Sequence, residues 1–452
     1  MTQTTAGELL SVDSALDRIL VAIDGPLPSE PVAPEAALGR FLAAGVSATT
    51  DLPPWDNSAM DGYAIRAADV GSASDDTPVE LRVVGEVAAG ASPTVQVGRG
   101  TAVRIATGAP LPRGADAVVP VEQTVPLDAN GRPSGGRGRD ATGPLPAACL
   151  VHTAVGVGGS VRARGGDLRA GSSILEPGVR VTPAVVALAA GAGVADLVVH
   201  RRPRVGVLAT GDELRSGGEP LGPAGIPDAN GPGLRALVAA AGGLPVDLGI
   251  ARDEIADMTT RVERGIAEAD VVIVSGGVSV GPYDVVRAAF ESVGRVDLWR
   301  VAVQPGKPFA FGLAEHRAGS TGDDDDRPTV PLFGLPGNPV STAVTFELFV
   351  RPALLRLAGA RSSQDAPDRA VLLEPVKKSS GRRAYLRVTA ERDADGGIRR
   401  DERGRVRVRL AGGQGSHVLS ALAAADALAV VPQDVDGLDA GEEVALRWLD
   451  RG

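Results

Sequence analysis

Residues 270–284 read DVVIVSGGVSVGPYD. The run 271–274 carries no charge and is almost wholly β-branched, the composition of a strand buried on both faces. Ser275, Gly276 and Gly277 follow at once. Glycines there let the backbone take positive φ and approach a ligand closely. The pattern recurs on either side. RVGVLA (204–209) leads into Thr210-Gly211-Asp212-Glu213, and VPLF (330–333) leads into Gly334-Leu335-Pro336-Gly337-Asn338-Pro339-Val340-Ser341. Between these strands lie helical patterns in GPGLRALVAAAG, EIADMTTRVERGIAEA and YDVVRAAFESV. LPVDLGIA reads as a further strand, and PVSTAVTFELFVRPALLRLAG as a long closing helix. Strand alternating with helix predicts a parallel sheet covered on both faces, with ligands bound beyond the carboxyl ends of its strands.

Outward from this unit the pattern changes. Ser11 to Val21 places Val12, Ala15, Leu16, Ile19 and Leu20 at helical spacing, and a second helix is expected over 34–44. From about 52 to 155 short Val-rich runs alternate with Gly and Pro, which predicts a small all-β unit. Within it, 128–147 reads as a flexible loop insertion. After about 365 short strands return, predicting a small β-barrel or sandwich. The acidic run Asp323 to Asp326 reads as a solvated loop tip. No repeat of fixed period is visible.

Composition narrows the chemistry. In 452 residues, 44% are hydrophobic and only 3% aromatic, so the cores should rest on Val, Leu, Ile and Ala. The net charge of −10 disfavours a nucleic-acid partner. The arginine-rich run 399–409 alternates with period 2 and reads as a solvated strand face. Cys149 is the single cysteine, so no internal disulfide or CxxC pair forms. No signal peptide and no membrane-spanning run is seen, and a cytoplasmic protein is expected. No P-loop, no GxSxG nucleophile elbow and no HExxH is expected, and His152, His200, His316 and His417 are scattered.

The strand-end loops suit a hard cation and an anion. Asp212, Glu213 and Asp284 are oxygen donors of the kind that hold Mg²⁺ together with a phosphate. Lys307, in QPGKPFAFG, supplies a positive charge. Asn338 can cap the closing helix with Pro339 in its first turn, leaving free N–H groups for an oxyanion. Each loop alone is also explained as an ordinary strand-to-helix turn. Three of them in one α/β unit shift the balance toward a site.

These segments resemble the MoeA family, the molybdopterin molybdenumtransferases related to the gephyrin E-domain. The resemblance rests on DNSAMDGYAI (56–65), RIATGAPLPRGADAVVPVEQT (104–124), TGDEL, DVVIVSGGVSVGPYD, QPGKPFAFG, GLPGNPVS and QGSH (414–417). It implies an elongated multidomain fold of four units. The first is a discontinuous helical domain (1–50 and 156–200). The second is an inserted β domain (51–155), the third a MogA-like parallel α/β domain (201–362) and the fourth a C-terminal β-barrel (363–452). It also implies a homodimer, molybdate and adenylylated molybdopterin as substrates, Mg²⁺ as cofactor, AMP as leaving group, and docking of other cofactor-assembly proteins.

The residues implied as catalytic are Asp61, Thr107, Glu213, Asp284 and Lys307, with Asp61 and Thr107 facing the partner's cleft. Glu213 and Asp284 are the implied metal ligands. Substrate contacts are implied at Thr210, Gly211, Asp212, Asp228, Asn230, Asp270, Ser275, Gly276, Gly277, Ser279, Gly281, Gln304, Pro336, Gly337, Asn338, Pro339 and Ser341. Asp270 alternatively caps the preceding helix, and Thr107 stabilises a turn. Gln304, Gly166 and Pro227 depart from residues common in the family. They leave open a weakly catalytic pterin-binding scaffold, or an insertase preferring tungstate.

Overall fold

The computed structural model describes residues 9–138, 143–277, 285–315, 329–362 and 367–449. The expected site residues Ser279, Gly281 and Asp284, and the acidic run 323–326, lie outside the described residues.

The first helix, α1 (Val12–Ala22), starts where Ser11 accepts the Ser14 N–H at 3.1 Å. Its apolar stripe of Val12, Ala15, Leu16 and Ile19 packs with Phe349, Leu354 and Leu357 of the closing helix. The expected helix over 34–44 does not form. That segment is a series of turns ending at Gly39, whose φ of +78° no helix accommodates. Phe41 and Leu42 then bridge to Arg180 and Val199.

The segments flanking the β insertion meet again in space. Ser29–Val32 pairs antiparallel with Leu197–His200, and Val46–Ser47 with Ser173–Leu175. Helix α2 (Pro183–Gly191), begun by Thr182, closes their small core over Leu42, Val181 and Ala189. This unit is therefore less helical than expected, because α1 spends its apolar face on the central unit. The inserted unit is a six-stranded sheet with an apolar core on each face. Its pairings are antiparallel except that of Val79–Val87 with Thr101–Ile105.

The central sheet has six strands in the order Leu244–Ala251, Arg204–Thr210, Val271–Ser275, Thr329–Leu335, Pro308–Glu315, Gly294–Arg300. The first four are parallel, as expected, and the last two are added through antiparallel pairings, Pro308–Glu315 to Thr329–Leu335 and Gly294–Arg300 to Pro308–Glu315. The two added strands come from the stretch around Lys307, where Phe309 and Phe311 alternate with Ala310 and Gly312. Both Phe side chains face one core, with Phe333, Phe346, Phe349 and Trp299. Five of the chain's seven Phe thus sit in a single core, and the remaining cores are mainly aliphatic, with Phe290 and Tyr63 as their buried aromatic members. Helices α3 (Asn230–Ala240), α4 (Ile255–Glu268) and α5 (Val285–Val293) cover the sheet.

The closing helix is α6 (Pro339–Thr345), one wide π-turn (Phe346–Val350) and α7 (Arg351–Leu357). The π-turn has a cause. Pro352 lacks an N–H, and its ring would meet the carbonyl four residues back in a regular helix.

The C-terminal unit is a closed five-stranded barrel. Arg383–Ala390, Ala427–Val431, Glu443–Trp448, Asp368–Leu372 and Val406–Leu410 pair in that order and return to the first. Val303–Gln304 pairs with the start of Arg383–Ala390, and helix α8 (Leu419–Ala423) follows the third barrel strand in sequence. Four arginines of the stripe are paired with carboxylates. Arg400 meets Asp368, Arg405 meets Asp401, and Arg407 and Arg409 share Glu391. Among the described residues no helix is long and apolar enough to cross a membrane.

Candidate active site

A cavity of about 1140 Å³ opens where the carboxyl ends of the parallel strands face the barrel. All three glycine-containing loops reach it. Thr210 ends the first strand, and its hydroxyl donates to Asp253 at 3.0 Å. Gly211 has φ +148°, and a Cβ there would lie 2.6 Å from the Glu213 carboxylate, so glycine lets Glu213 fold back over the turn. In the second loop the Ser275 hydroxyl donates to the Pro336 carbonyl at 3.2 Å, tying it to the third loop. Gly276 and Gly277 both have positive φ. In the third loop Asn230 donates to the Gly337 carbonyl at 2.7 Å. Asn338 holds the N-cap position of α6 with no side-chain hydrogen bond to the helix, so its expected capping bond is absent. Pro339 and Ser341 line the cavity beside it.

Several expected contacts have a structural use. Asp228 accepts the Gly231 N–H at 3.0 Å and so caps α3, while still bordering the cavity. Asp212 is outside the wall and accepts the Asp253 N–H at 3.3 Å. Asp270 is placed elsewhere. It lies before the strand Val271–Ser275, at the end opposite the cavity, and is 4% exposed. Arg201 grips it at 2.7 and 2.8 Å, and the Arg204 N–H adds a third bond at 2.7 Å. Its carboxylate ties the entry of the central unit together and neither reaches the cavity nor caps a helix.

The residue in the position expected of Asp270 is Asp253. It follows the strand Leu244–Ala251 and lines the cavity beside Thr210. A strand-end ARDE was visible in the sequence and went unread as a fourth loop. The stretch GVSVG (277–281) also spells G-x-S-x-G, the spacing of a nucleophile elbow. The expectation that no such spacing occurs is therefore corrected, and its Ser279 lies outside the described residues.

The barrel supplies the opposite wall through Arg382, Gln414, Gly415, Ser416 and His417. This loop is held by Arg387, which is fully buried. Its guanidinium donates to the carbonyls of Gly413 and Gly415 at 3.1 and 3.2 Å, and the Gln414 amide bonds the Arg387 backbone in both directions. Burial pushes the Arg387 pKa below its usual range. Lys307 is exposed in the cavity. Gln304 lines it too, and accepts the Ser379 N–H at 3.4 Å. Carboxylates of Glu213, Asp228 and Asp253 thus share the cavity with the cations Lys307 and Arg382. Among the described residues no group of three His, Cys, Asp or Glu could hold a metal ion.

Asp61 and Thr107 meet each other but not this cavity. Asp61 accepts the Thr107 N–H at 2.7 Å and its hydroxyl at 2.9 Å. Asp61 borders a separate cavity of about 310 Å³ in the inserted unit, with Glu86 and Arg104. No residue of the inserted unit lines the large cavity.

Known proteins share this whole arrangement. Residues 10–193 match the MoeA N-terminal region (domain I and II), 206–356 a probable molybdopterin binding domain, and 369–447 the MoeA C-terminal region (domain IV). A molybdopterin molybdenumtransferase of Haemophilus influenzae is 34% identical over 97% of this chain and 98% of its own. The chain belongs to the MoeA family of molybdopterin molybdenumtransferases. A molybdopterin molybdenumtransferase 2 of Mycobacterium tuberculosis is 37% identical over 90% of this chain and 92% of its own. The crystal structure of a MoeA protein from Pyrococcus horikoshii superposes with a TM-score of 0.75 at 28% identity, covering 98% of this chain and all of that one. MoeA proteins are transferases of molybdenum cofactor biosynthesis, and the cavity described above lies between their molybdopterin-binding and C-terminal regions.

Proposed function

We propose that the chain inserts molybdate into adenylylated molybdopterin with release of AMP, at a site completed by a second subunit. The observation that carries the proposal is the division of the acidic residues. Glu213 and Asp253 border the large cavity, whereas Asp61 and Thr107 are presented on another unit of the same chain. A homodimer in which the inserted unit reaches the partner's cavity unites them. Most strand pairings fall within four units, at 1–50 with 156–200, 51–155, 201–362 and 363–452, which supports that division; the short pairings of Asn57–Ser58 with Val161–Arg162 and of Val303–Gln304 with Arg383–Ala390 tie neighbouring units together, and α1 packs on the central unit. Cytoplasmic placement fits the single buried cysteine and is part of the same reading.

Roles follow from chemistry. Lys307 and Arg382 bind the anionic oxygens of phosphate and molybdate. The glycine turns at Thr210, Gly211, Gly276, Gly277 and Gly337 bring backbone close to the pterin. Asp61, fixed by two bonds from Thr107, orients water or accepts a proton at the bond that breaks. Mg²⁺ fits the donor set, because the carboxylates are hard and substrate phosphate completes its coordination. Glu213 would hold it with Asp284 or Asp253, and when bound it offsets the charge of the departing phosphate. Gln304 contributes a neutral hydrogen-bonding group, which leaves Lys307 the cation of that loop.

The test is incubation with adenylylated molybdopterin, molybdate and Mg²⁺, following AMP. Turnover no greater than that of an Asp61→Ala control rejects the proposal.

A further inference from the structure

Beside the large cavity lies an apolar annex of about 280 Å³, which shares Ala229, Asn230 and Pro339 with it. Helices α3 and α6 of the central unit form one side through Leu234, Leu237 and Ala343, and α8 closes the other with Leu419 and Leu422. Nothing proposed for Lys307, Arg382 or the glycine turns uses this space. Its volume is at the lower end for ligand pockets, roughly 300 Å³, which is room for one fused ring system and not for a whole nucleotide.

Three polar side chains line the annex, and all three have only acceptors left to offer. Asn230 donates through Nδ2 to the Gly337 carbonyl at 2.7 Å, which leaves its Oδ1. The Thr342 hydroxyl has the Pro336 and Asn338 carbonyls at 2.6 and 3.1 Å to donate to, which leaves its lone pairs. Glu347 carries the charge. Arg351 Nε lies 3.8 Å from its carboxylate, and a carboxylate accepts at about four sites, so that pairing leaves capacity. Among the described residues no Lys, Arg or His lines the annex. An apolar slot with one carboxylate and no donor selects a flat ring that brings its own N–H groups.

We propose that the annex holds the pterin end of adenylylated molybdopterin, with Glu347 reading its 2-amino group and N3–H. The inference rests on the proposed function and adds which end of the substrate lies where. A 2-amino-4-oxo pyrimidine ring offers those two donors side by side, a match for the two oxygens of one carboxylate. Adenine offers one amino group flanked by ring nitrogens that only accept, so the same carboxylate would face a lone pair. The adenylyl end therefore stays in the large cavity, where Lys307 and Arg382 meet its phosphates. Asn230 and Pro339 belong to both spaces and mark where the substrate passes from one to the other.

The test titrates the full chain with free pterin, followed by quenching of pterin fluorescence, and separately with AMP. Pterin should bind the wild type, and saturating AMP should not displace it. Leu419 is 42% exposed, so Leu419→Trp fills the annex from its rim and should abolish pterin binding. Glu347→Gln sets an amide NH₂ against a ring donor and should weaken pterin about tenfold, the size of one lost hydrogen bond to a charged group. This second variant keeps the test open should Leu419→Trp disturb the barrel, and AMP affinity on the same samples shows whether the large cavity is intact. Pterin that binds both variants as it binds the wild type, or that AMP displaces, overturns the annex site. So does a wild type that releases AMP from adenylylated molybdopterin but binds no pterin, and the proposed function then stands. A wild type whose pterin binding both variants weaken, yet which releases no AMP, supports the annex site and overturns the proposed function.

Discussion

Gly276→Ala should loosen the cavity at its seam. Gly276 has φ +100°, and a Cβ added there would lie 2.6 Å from the Thr210 carbonyl oxygen and 3.1 Å from Thr210 Cγ2. The first obstacle is backbone, so no rotamer change relieves it. The left-handed conformation costs an alanine about 1–2 kcal/mol. Ordinary contact would need the two loops to part by roughly 0.8 Å, an overpacking worth about 1–3 kcal/mol. The sum, about 2–5 kcal/mol, lowers the melting temperature of a unit this size by roughly 5–15 °C. Parting the loops also pulls Thr210 from Asp253, so activity should fall further than the folded fraction. Gly217→Ala is the control, because nothing lies within 4 Å of its added Cβ and its φ is not positive. Thermal melts followed by circular dichroism decide the matter. If Gly276→Ala melts with Gly217→Ala, the reading of this seam is wrong.

Asp270→Asn should cost about 2–4 kcal/mol by stranding Arg201, with discount for its partial exposure. Turnover per folded molecule should stay unchanged, because Asp270 lies about 16 Å of strand from Ser275. Urea unfolding with kinetics on the same sample separates the two effects. Thr210→Val removes the 3.0 Å bond to Asp253 at about 1–2 kcal/mol. It should depress kcat, which steady-state AMP release measures. Hydrogen bonds from Arg405 hold the Asp401 carboxyl down from 3.8 to about 2. A depressed carboxylate stabilises above its unfolded pKa, so this contribution is present above about pH 4 and lost as pH falls toward 2. Melts of wild type and Asp401→Asn between pH 5 and pH 2 should converge in acid.

Much of the fold was legible because it rests on local patterns. The uncharged runs 205–209 and 271–274 could only be buried strands, and Ser11 with Val12, Ala15, Leu16 and Ile19 marked α1 and its buried side. The failures are equally local in cause. Residues 34–44 carry helix-forming alanines, but Gly39 and the pairing of Phe41 and Leu42 with distant strands override them. Strands 294–300 and 308–315 were missed because their pairing is with each other and with Thr329–Leu335. Asp270 and Asp253 both flank strands of the sheet, and only topology says which end faces the cavity. The burial of Arg387 had no signal at all, since its two carbonyl partners lie 26 and 28 residues away. The pairing of Asp61 with Thr107 is likewise a matter of register between Gly62–Ile65 and Thr101–Ile105.

The most direct test of the shared site mixes two inactive chains. Asp61→Ala and Glu213→Ala variants are unfolded and refolded together, and AMP release from adenylylated molybdopterin is compared with each variant alone. If each site joins Asp61 of one subunit to Glu213 of the other, half the dimers are mixed and each has one intact site, restoring about a quarter of wild-type activity. A mixture no more active than its parts, with mixed dimers present, contradicts the account.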